Sequence, residues 1–190
     1  LMENSYFIAM EYLIGKDLRR IFSKAKEKGT PLGLEHALYI ASRTCAGLDY
    51  AHKLTDFHGK PLNLIHRDIS PQNILITYEG EVKIVDFGIA KAALQDNVTQ
   101  NGLIKGKVAY MSPEQASGAK IDHRSDIFSA GILLYEMVTE KRMFAGDTLQ
   151  VLERVRRGEF EPPEKARSGL PPKLYEILHK ALTREIDRRY

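Results

Sequence analysis

The stretch LIHRDISPQNILI, residues 64–76, sets Asp68, Ser70 and Asn73 between apolar flanks. Such a pattern reads as a polar loop mounted on a buried frame, a placement suited to chemistry. Just beyond it, NILIT and VKIVDFG are two short apolar runs joined by YEGE, which predicts a β-hairpin with Gly80 in its turn. The hairpin puts Asp68 and Asn73 before its first strand and Asp86 after its second, so the three oxygen-bearing side chains can converge at one end. Carboxylate and amide oxygens are the hard ligands Mg2+ prefers, usually one or two carboxylates together with substrate phosphates. An acid beside them could position a hydroxyl and take its proton. Taken singly, each residue reads as a turn cap, as Asp and Asn often are. Together, with His66-Arg67 ahead and Phe87-Gly88 behind, they argue for a site.

The surroundings read as mostly helical. After Gly15, KDLRRIFSKAKEKG has helical spacing at Leu18, Ile21, Phe22 and Ala25 and a stop signal at Gly29. A second helix carries Leu34, Ala37, Leu38, Ala41, Cys45, Leu48 and Ala51, predicted as one long buried stripe with Cys45 as a small core residue. Residues 53–65 form a turn-rich loop, and residues 89–120 show no clear period. The helical period returns in SDIFSAGILLYEMVTE, DTLQVLERVRRG and PPKLYEILHKALTR. Residues 5–13, SYFIAMEYL, read as a strand with no cap or turn before it, as though inherited from a larger fold.

Composition narrows the classes. The 190 residues fit one domain, and a formal charge of +3 is too small to argue for nucleic acid. A single cysteine excludes an internal disulfide framework and fits a reducing compartment. No apolar run approaches the ~20 residues needed to span a bilayer, and no signal peptide opens the chain. The expectation is a cytoplasmic domain with no membrane segment in this chain, although the parent protein could carry an anchor outside it.

In order and spacing, these motifs resemble the hinge and C-terminal lobe of a eukaryotic-type (Hanks-type) bacterial serine/threonine protein kinase. HRDISPQN resembles the catalytic loop, DFG at 86–88 the metal-binding start of the activation segment, and SPE at 112–114 its end. YMSPEQ and RSDIFSAGILLYEM look most like bacterial serine/threonine kinases, and the longer loop before HRD, with SPQN, is similar to a branch common among predatory and social bacteria. The resemblance covers essentially the whole chain. It implies a protein-kinase-like fold: a mainly α-helical C-lobe with a small β-hairpin carrying the catalytic and metal-binding loops. The N-terminal β-lobe would be absent apart from its last strand, with residues 1–16 as that strand and hinge and 17–190 as the C-lobe. The implied activity is transfer of the γ-phosphoryl group of ATP, with Mg2+, to Ser/Thr hydroxyls of protein substrates. The family's glycine-rich loop, strand lysine and its glutamate partner belong upstream of residue 1, and the last helix would finish beyond Tyr190. The expectation is therefore a fragment with little activity alone. A non-catalytic scaffold or binding module is the alternative, while a small-molecule kinase of the aminoglycoside type shares the Asp-Asn-Asp spacing but lacks YMSPEQ.

The resemblance also implies roles. Asp68 would orient the acceptor hydroxyl and accept its proton, Asn73 would hold the second Mg2+, and Asp86 the Mg2+ that bridges the phosphates. In AMEYL at 9–13, the backbones of Glu11 and Leu13 would contact adenine, with Met10 as gatekeeper; Leu75 would floor the ring. Met10 and Leu75 read equally as core packing. Asp17 would lie near the ribose, or serve as an ordinary first-turn acid. Asp126 would hold backbone amides of the catalytic loop, and Glu114 would pair with Arg189, although REIDRRY departs from the family's usual Asp-Pro. Arg67 is a cation against which a phosphorylated activation loop could dock. Thr99, the only hydroxyl-bearing residue between Asp86 and Tyr110, is the phosphosite candidate or a plain loop threonine.

Two positions depart from the family. Where serine/threonine kinases carry Lys two residues after the catalytic Asp, this chain has Ser70, and where Gly-Thr precedes the YMSPE segment it has Gly106-Lys107. A neutral hydroxyl cannot replace an ammonium, and the two changes are complementary. Lys107 either supplies the missing charge from the activation segment, through its flexible four-carbon stem, or is a solvated loop charge. Because the missing Lys also marks Ser/Thr over Tyr acceptors, acceptor class rests on the look of the segment. The helix DTLQVLERVRRG and KVAYMSPEQ would line a peptide-docking surface whose mixed charges dictate no motif.

Overall fold

The computed structural model describes residues 10–87 and 107–190. A three-stranded antiparallel sheet, β1 Gly15–Asp17, β2 Ile74–Thr77 and β3 Val82–Ile84, sits against a helical body. That body comprises α1 Leu18–Lys28, α2 Leu34–His52, α3 Pro113–Ala116, α4 His123–Thr139, α5 Thr148–Arg157, α6 Pro163–Ala166 and α7 Pro172–Ala181.

The predicted hairpin is present. Ile74 pairs with Ile84 and Leu75 with Lys83, and the turn closes at Gly80, whose φ of 90° only glycine adopts readily. Alternation turns Ile74 and Ile76 toward the core and leaves Leu75 on the opposite face beside its cross-strand neighbours Asp17 and Lys83. The third strand, β1, carries no sequence pattern of its own, being three residues long. Its one trace is Gly15, where a Cβ would lie 2.2 Å from the Ile76 carbonyl oxygen.

The first helix ends as expected. Asp17 caps α1 by accepting from the Arg20 amide at 2.9 Å, and Gly29 closes it at φ 62°. The second helix differs in detail: its buried stripe is Ala37, Ile40, Thr44, Leu48 and Ala51, while Cys45 is exposed and Leu38 is 40% exposed. Ile40 and Thr44 take the core-facing positions, one residue back from Ala41 and Cys45 and so about 100° around the helix. Counting only apolar residues missed Thr44, and without it the stripe ran through Ala41 and Cys45 in place of Ile40 and Thr44. Residues 10–13 are not in a strand, because no described segment pairs with them, and residues 5–9 lie outside the described residues. In the described part of the unpatterned segment, a 3-10 turn at Val108–Tyr110 leads into α3, whose start Ser112 and Gln115 close with a reciprocal capping box.

At the centre lies α4, buried from Phe128 through Thr139 and flanked by α2 and α7. A helix buried all round needs partners for each of its polar groups, and α4 has them. Ser125 donates to Glu114 Oε1 at 2.6 Å, and Ser129 donates to the Tyr110 carbonyl at 2.7 Å. The Glu114–Arg189 pair joins α3 to the chain's end, with bonds of 2.7 and 2.9 Å. Arg189, whose side chain is fully buried, also donates to the carbonyls of Thr183, Arg124 and Arg184 and stacks over Phe128. Burial would push the Glu114 carboxyl up, but Arg189 and the Ser125 hydroxyl outweigh it and hold the group below the usual carboxylate range.

A carboxylate depressed in the fold stabilises it above the unfolded pKa, and that contribution is lost as pH falls through the folded value. Chemical denaturation should therefore show an acid limb below about pH 4 that is shallower in Glu114→Gln than in the wild type. Arg189→Ala, which leaves Glu114 without its partner, should cost about 3–5 kcal/mol at neutral pH.

Candidate active site

Asp126 fixes the site. Projecting from the first turn of α4 at 1% exposure, its carboxylate accepts from the His66 amide at 2.8 Å and the Arg67 amide at 2.9 Å. His52 Nε2, at 2.8 Å from Oδ2, supplies a third donor. Those bonds hold Arg67 at φ 65°, a left-handed conformation that non-glycine residues enter only where surroundings impose it. The Arg67 carbonyl in turn accepts from Gln115 Nε2 at 3.0 Å, which ties the loop to α3.

The next residues hang from this anchor. His66 is fully buried. Its Nε2 lies 3.0 Å from the Val85 carbonyl and therefore carries the proton, leaving Nδ1 to accept from the Asp68 amide at 3.2 Å. Phe87 stands edge-on to the His66 ring, with centroids 4.6 Å apart. Asn73 donates from Nδ2 to the Asp68 carbonyl at 2.7 Å and accepts at its own carbonyl from the Val85 amide at 3.0 Å. One asparagine thus links the Asp68 loop to the strand end that presents Asp86. Asp86 itself is exposed at φ 59°, a second left-handed residue. Asp68 and Asn73 are thus joined directly, and Asp86 follows the residue whose amide bonds to Asn73.

Lys107 is also there. Its Nζ donates to Asp68 Oδ2 at 2.7 Å, with the Asp68 side chain 11% exposed. Ser70 is buried, and its Oγ has no hydrogen-bond partner among the described residues. Both border a cleft of about 500 Å³ that also meets Arg19, Tyr110 and Arg142. On its wall the Tyr110 hydroxyl donates to Glu136 Oε2 at 2.6 Å, and Arg142 bonds to the same hydroxyl. Burial pushes the Tyr110 phenol above its ordinary range, Glu136 adds to that, and Arg142 and Arg19 pull against it. Burial also raises the Glu136 carboxyl, against the opposing pull of Tyr110 and Arg142.

The hinge residues are placed differently from the core alternative. Met10 is 75% exposed because no described residue covers it, and Glu11 is exposed 4.0 Å from Lys83 Nζ. Leu13 and Leu75 are half-buried. Asp17 serves as the α1 cap and lies across from Leu75. Thr99, Gly88 and Gly106 fall outside the described residues. Sequence reasoning missed His52, Gln115 and the Tyr110–Glu136–Arg142 group; of these only Gln115 left a local signal, the Ser-x-x-Gln of a capping box. Among the described residues no cluster of three or more His, Cys, Asp or Glu forms a dedicated metal cage, and no helix is long and apolar enough to cross a membrane.

A mainly helical lobe with an Asp and an Asn before its hairpin and a second Asp after it matches the layout of the protein-kinase template. The protein kinase domain family profile matches residues 2–190, and the chain belongs to that family. It is 43% identical over 189 residues to a protein of Myxococcus xanthus named tyrosine-protein kinase MasK, covering 99% of this chain and 29% of that protein. A probable serine/threonine-protein kinase of Clostridium perfringens is 39% identical over 97% of the chain and 25% of its own length. The serine/threonine-protein kinase PknB of Mycolicibacterium smegmatis is 36% identical, again over 97% of the chain and 28% of its length. The chain thus spans less than a third of these relatives.

Asp126→Asn keeps the shape of the anchor but removes its charge and replaces one acceptor with a donor. Amide hydrogen exchange at His66 and Arg67 should accelerate by the equivalent of about 1.5–3 kcal/mol per charged hydrogen bond, with the α7 amides unaffected.

Proposed function

We propose that this chain is the catalytic lobe of a cytoplasmic protein kinase domain that transfers the γ-phosphoryl group of ATP to Ser/Thr hydroxyls of protein substrates. The observation that carries this reading is the joining of Asp68, Asn73 and the Asp86 strand end through two Asn73 bonds above the Asp126 anchor. One carboxylate and one amide oxygen, Asp86 and Asn73, suit Mg2+, which keeps waters and shares substrate phosphates rather than needing an all-protein cage. When bound, the metal neutralises phosphate charge.

The residues divide the remaining work. Asp68 orients the acceptor hydroxyl and takes its proton as the oxygen forms a bond to the γ-phosphorus and the bond from γ-phosphorus to the β–γ bridging oxygen breaks, the electron pair leaving with ADP. Lys107 places its ammonium beside Asp68, where it stabilises the transferred phosphoryl group in place of the charge that Ser70 lacks. Glu11 and Leu13 offer backbone groups to adenine, Met10 and Leu75 its apolar walls, and Asp17 a contact near the ribose. Phosphate on Thr99 would dock against Arg67 and order the activation segment. A tyrosyl acceptor is the second reading, favoured by the name of the Myxococcus xanthus relative and by Ser70.

In the full-length gene product, Lys107→Ala should lower kcat by about 10²–10³, the cost of removing one electrostatic stabiliser. Adding Ser70→Lys to that variant should restore most of the loss, because the ammonium returns to the family's usual place. Near-normal turnover in Lys107→Ala, or no rescue in the double variant, would show that Lys107 is only a loop charge. Phosphoamino-acid analysis of the product should yield phosphoserine or phosphothreonine, and phosphotyrosine alone would establish the second reading.

A further inference from the structure

The cleft bordered by Ser70 and Lys107 has a charge pattern the sequence did not predict. Of the described residues lining it, Arg19, Lys107 and Arg142 are cationic, and none is acidic. Three elements bring them there. Arg19 is in the first turn of α1, and its backbone N–H donates a hydrogen bond to the Pro71 carbonyl at 3.0 Å, which holds it to the loop after Asp68. Lys107 comes from the activation segment, and Arg142 from the loop after α4.

The two carboxylates beside this charge are already engaged, Asp68 by Lys107 at 2.7 Å and Glu136 within the wall. Glu136, 4% exposed at its side chain, accepts from Tyr110 and the Met143 amide and has Arg142 Nη1 at 3.5 Å. A basic peptide side chain entering the cleft would therefore find no open acid among the described residues of its walls. Arg142 keeps 54% of its side chain exposed, and Arg19 has no ion pair among the described residues, in contrast to Arg20, which Asp17 takes at 3.2 Å. Two guanidinium groups thus border the space beside the acceptor-orienting Asp68, each able to grip a carboxylate through paired N–H donors.

We infer that this cleft selects acceptor peptides carrying acidic residues next to the phosphorylated hydroxyl, with Arg19 and Arg142 as the specificity-determining residues. The inference rests on the proposed kinase reading and adds the charge of the substrate to it. Mixed charges along the sequence hid the selectivity because acids such as Glu153 and Glu159 lie near in the chain but outside the cleft.

Binding without ATP separates the two claims. Three fluorescent peptides, each with one Ser flanked by Glu, by Ala or by Lys, are titrated with the full-length protein and followed by anisotropy at low salt. The Glu-flanked peptide should bind about tenfold more tightly than the Ala-flanked one, the scale of one or two partly exposed ion pairs, and the Lys-flanked peptide most weakly. The preference should shrink as salt rises toward about 0.5 M. Arg19→Glu, at an exposed site, should erase or invert the order; Arg142→Lys should keep it, and Arg142→Gln should weaken it. Equal binding of the Glu- and Lys-flanked peptides, no binding of any peptide, or an acidic preference that survives Arg19→Glu combined with Arg142→Gln would overturn the inference. Phosphate transfer to the three peptides without charge preference would do the same while leaving the kinase reading intact. Acid-selective binding with no transfer from Mg2+-ATP would instead sustain the cleft and remove the kinase reading.

Discussion

The site depends on one buried carboxylate. Removing Asp126 from water costs several kcal/mol, and only well-placed donors offset such a penalty. Here two consecutive backbone amides and His52 do so, all within 2.9 Å. In return the carboxylate imposes the left-handed turn at Arg67, and that turn aims Asp68 back toward the hairpin. Without the anchor the loop would relax toward ordinary φ values and separate Asp68 from Asn73 and Asp86.

The same helix steadies the opposite wall. Ser125, Ser129 and Glu136 of α4 reach Glu114, the Tyr110 carbonyl and the Tyr110 hydroxyl, so the segment from Lys107 to Gln115 is fastened at several points to the element that anchors the His66–Asp68 loop. Gln115 closes the circuit by donating to the Arg67 carbonyl. Lys107 is therefore delivered to Asp68 by a braced segment, in keeping with the 2.7 Å contact between them. In the role proposed for Lys107, such bracing would supply electrostatic preorganisation, which needs little reorganisation at the moment of reaction.

Much of this was legible in the sequence, for physical reasons that can be named. The hairpin, α1, α4, α5 and α7 were readable because their periods are strong and their caps are Gly, Asp or Pro. Asp68, Asn73 and Asp86 were readable because they flank that hairpin at fixed offsets. The face of α2 was misread because Thr44, a polar residue, occupies a core position while Cys45 beside it is exposed. Strand β1 was invisible because three residues cannot show alternation. His52, 74 residues from Asp126 in the chain, and Arg142, 32 residues from Tyr110, join the site through long-range contacts that no local pattern encodes. The single sign of the cleft was hidden for the same reason, since it depends on which of many charges the fold turns inward.

The most direct test of the account is transfer of labelled γ-phosphate from ATP by the full-length protein and its Asp86→Ala variant, each measured across a Mg2+ titration. The account predicts Mg2+-dependent labelling of protein hydroxyls by the wild type and its loss in a variant that remains folded by circular dichroism. Undiminished transfer by Asp86→Ala, or no transfer by the intact protein at any Mg2+ concentration, would contradict it.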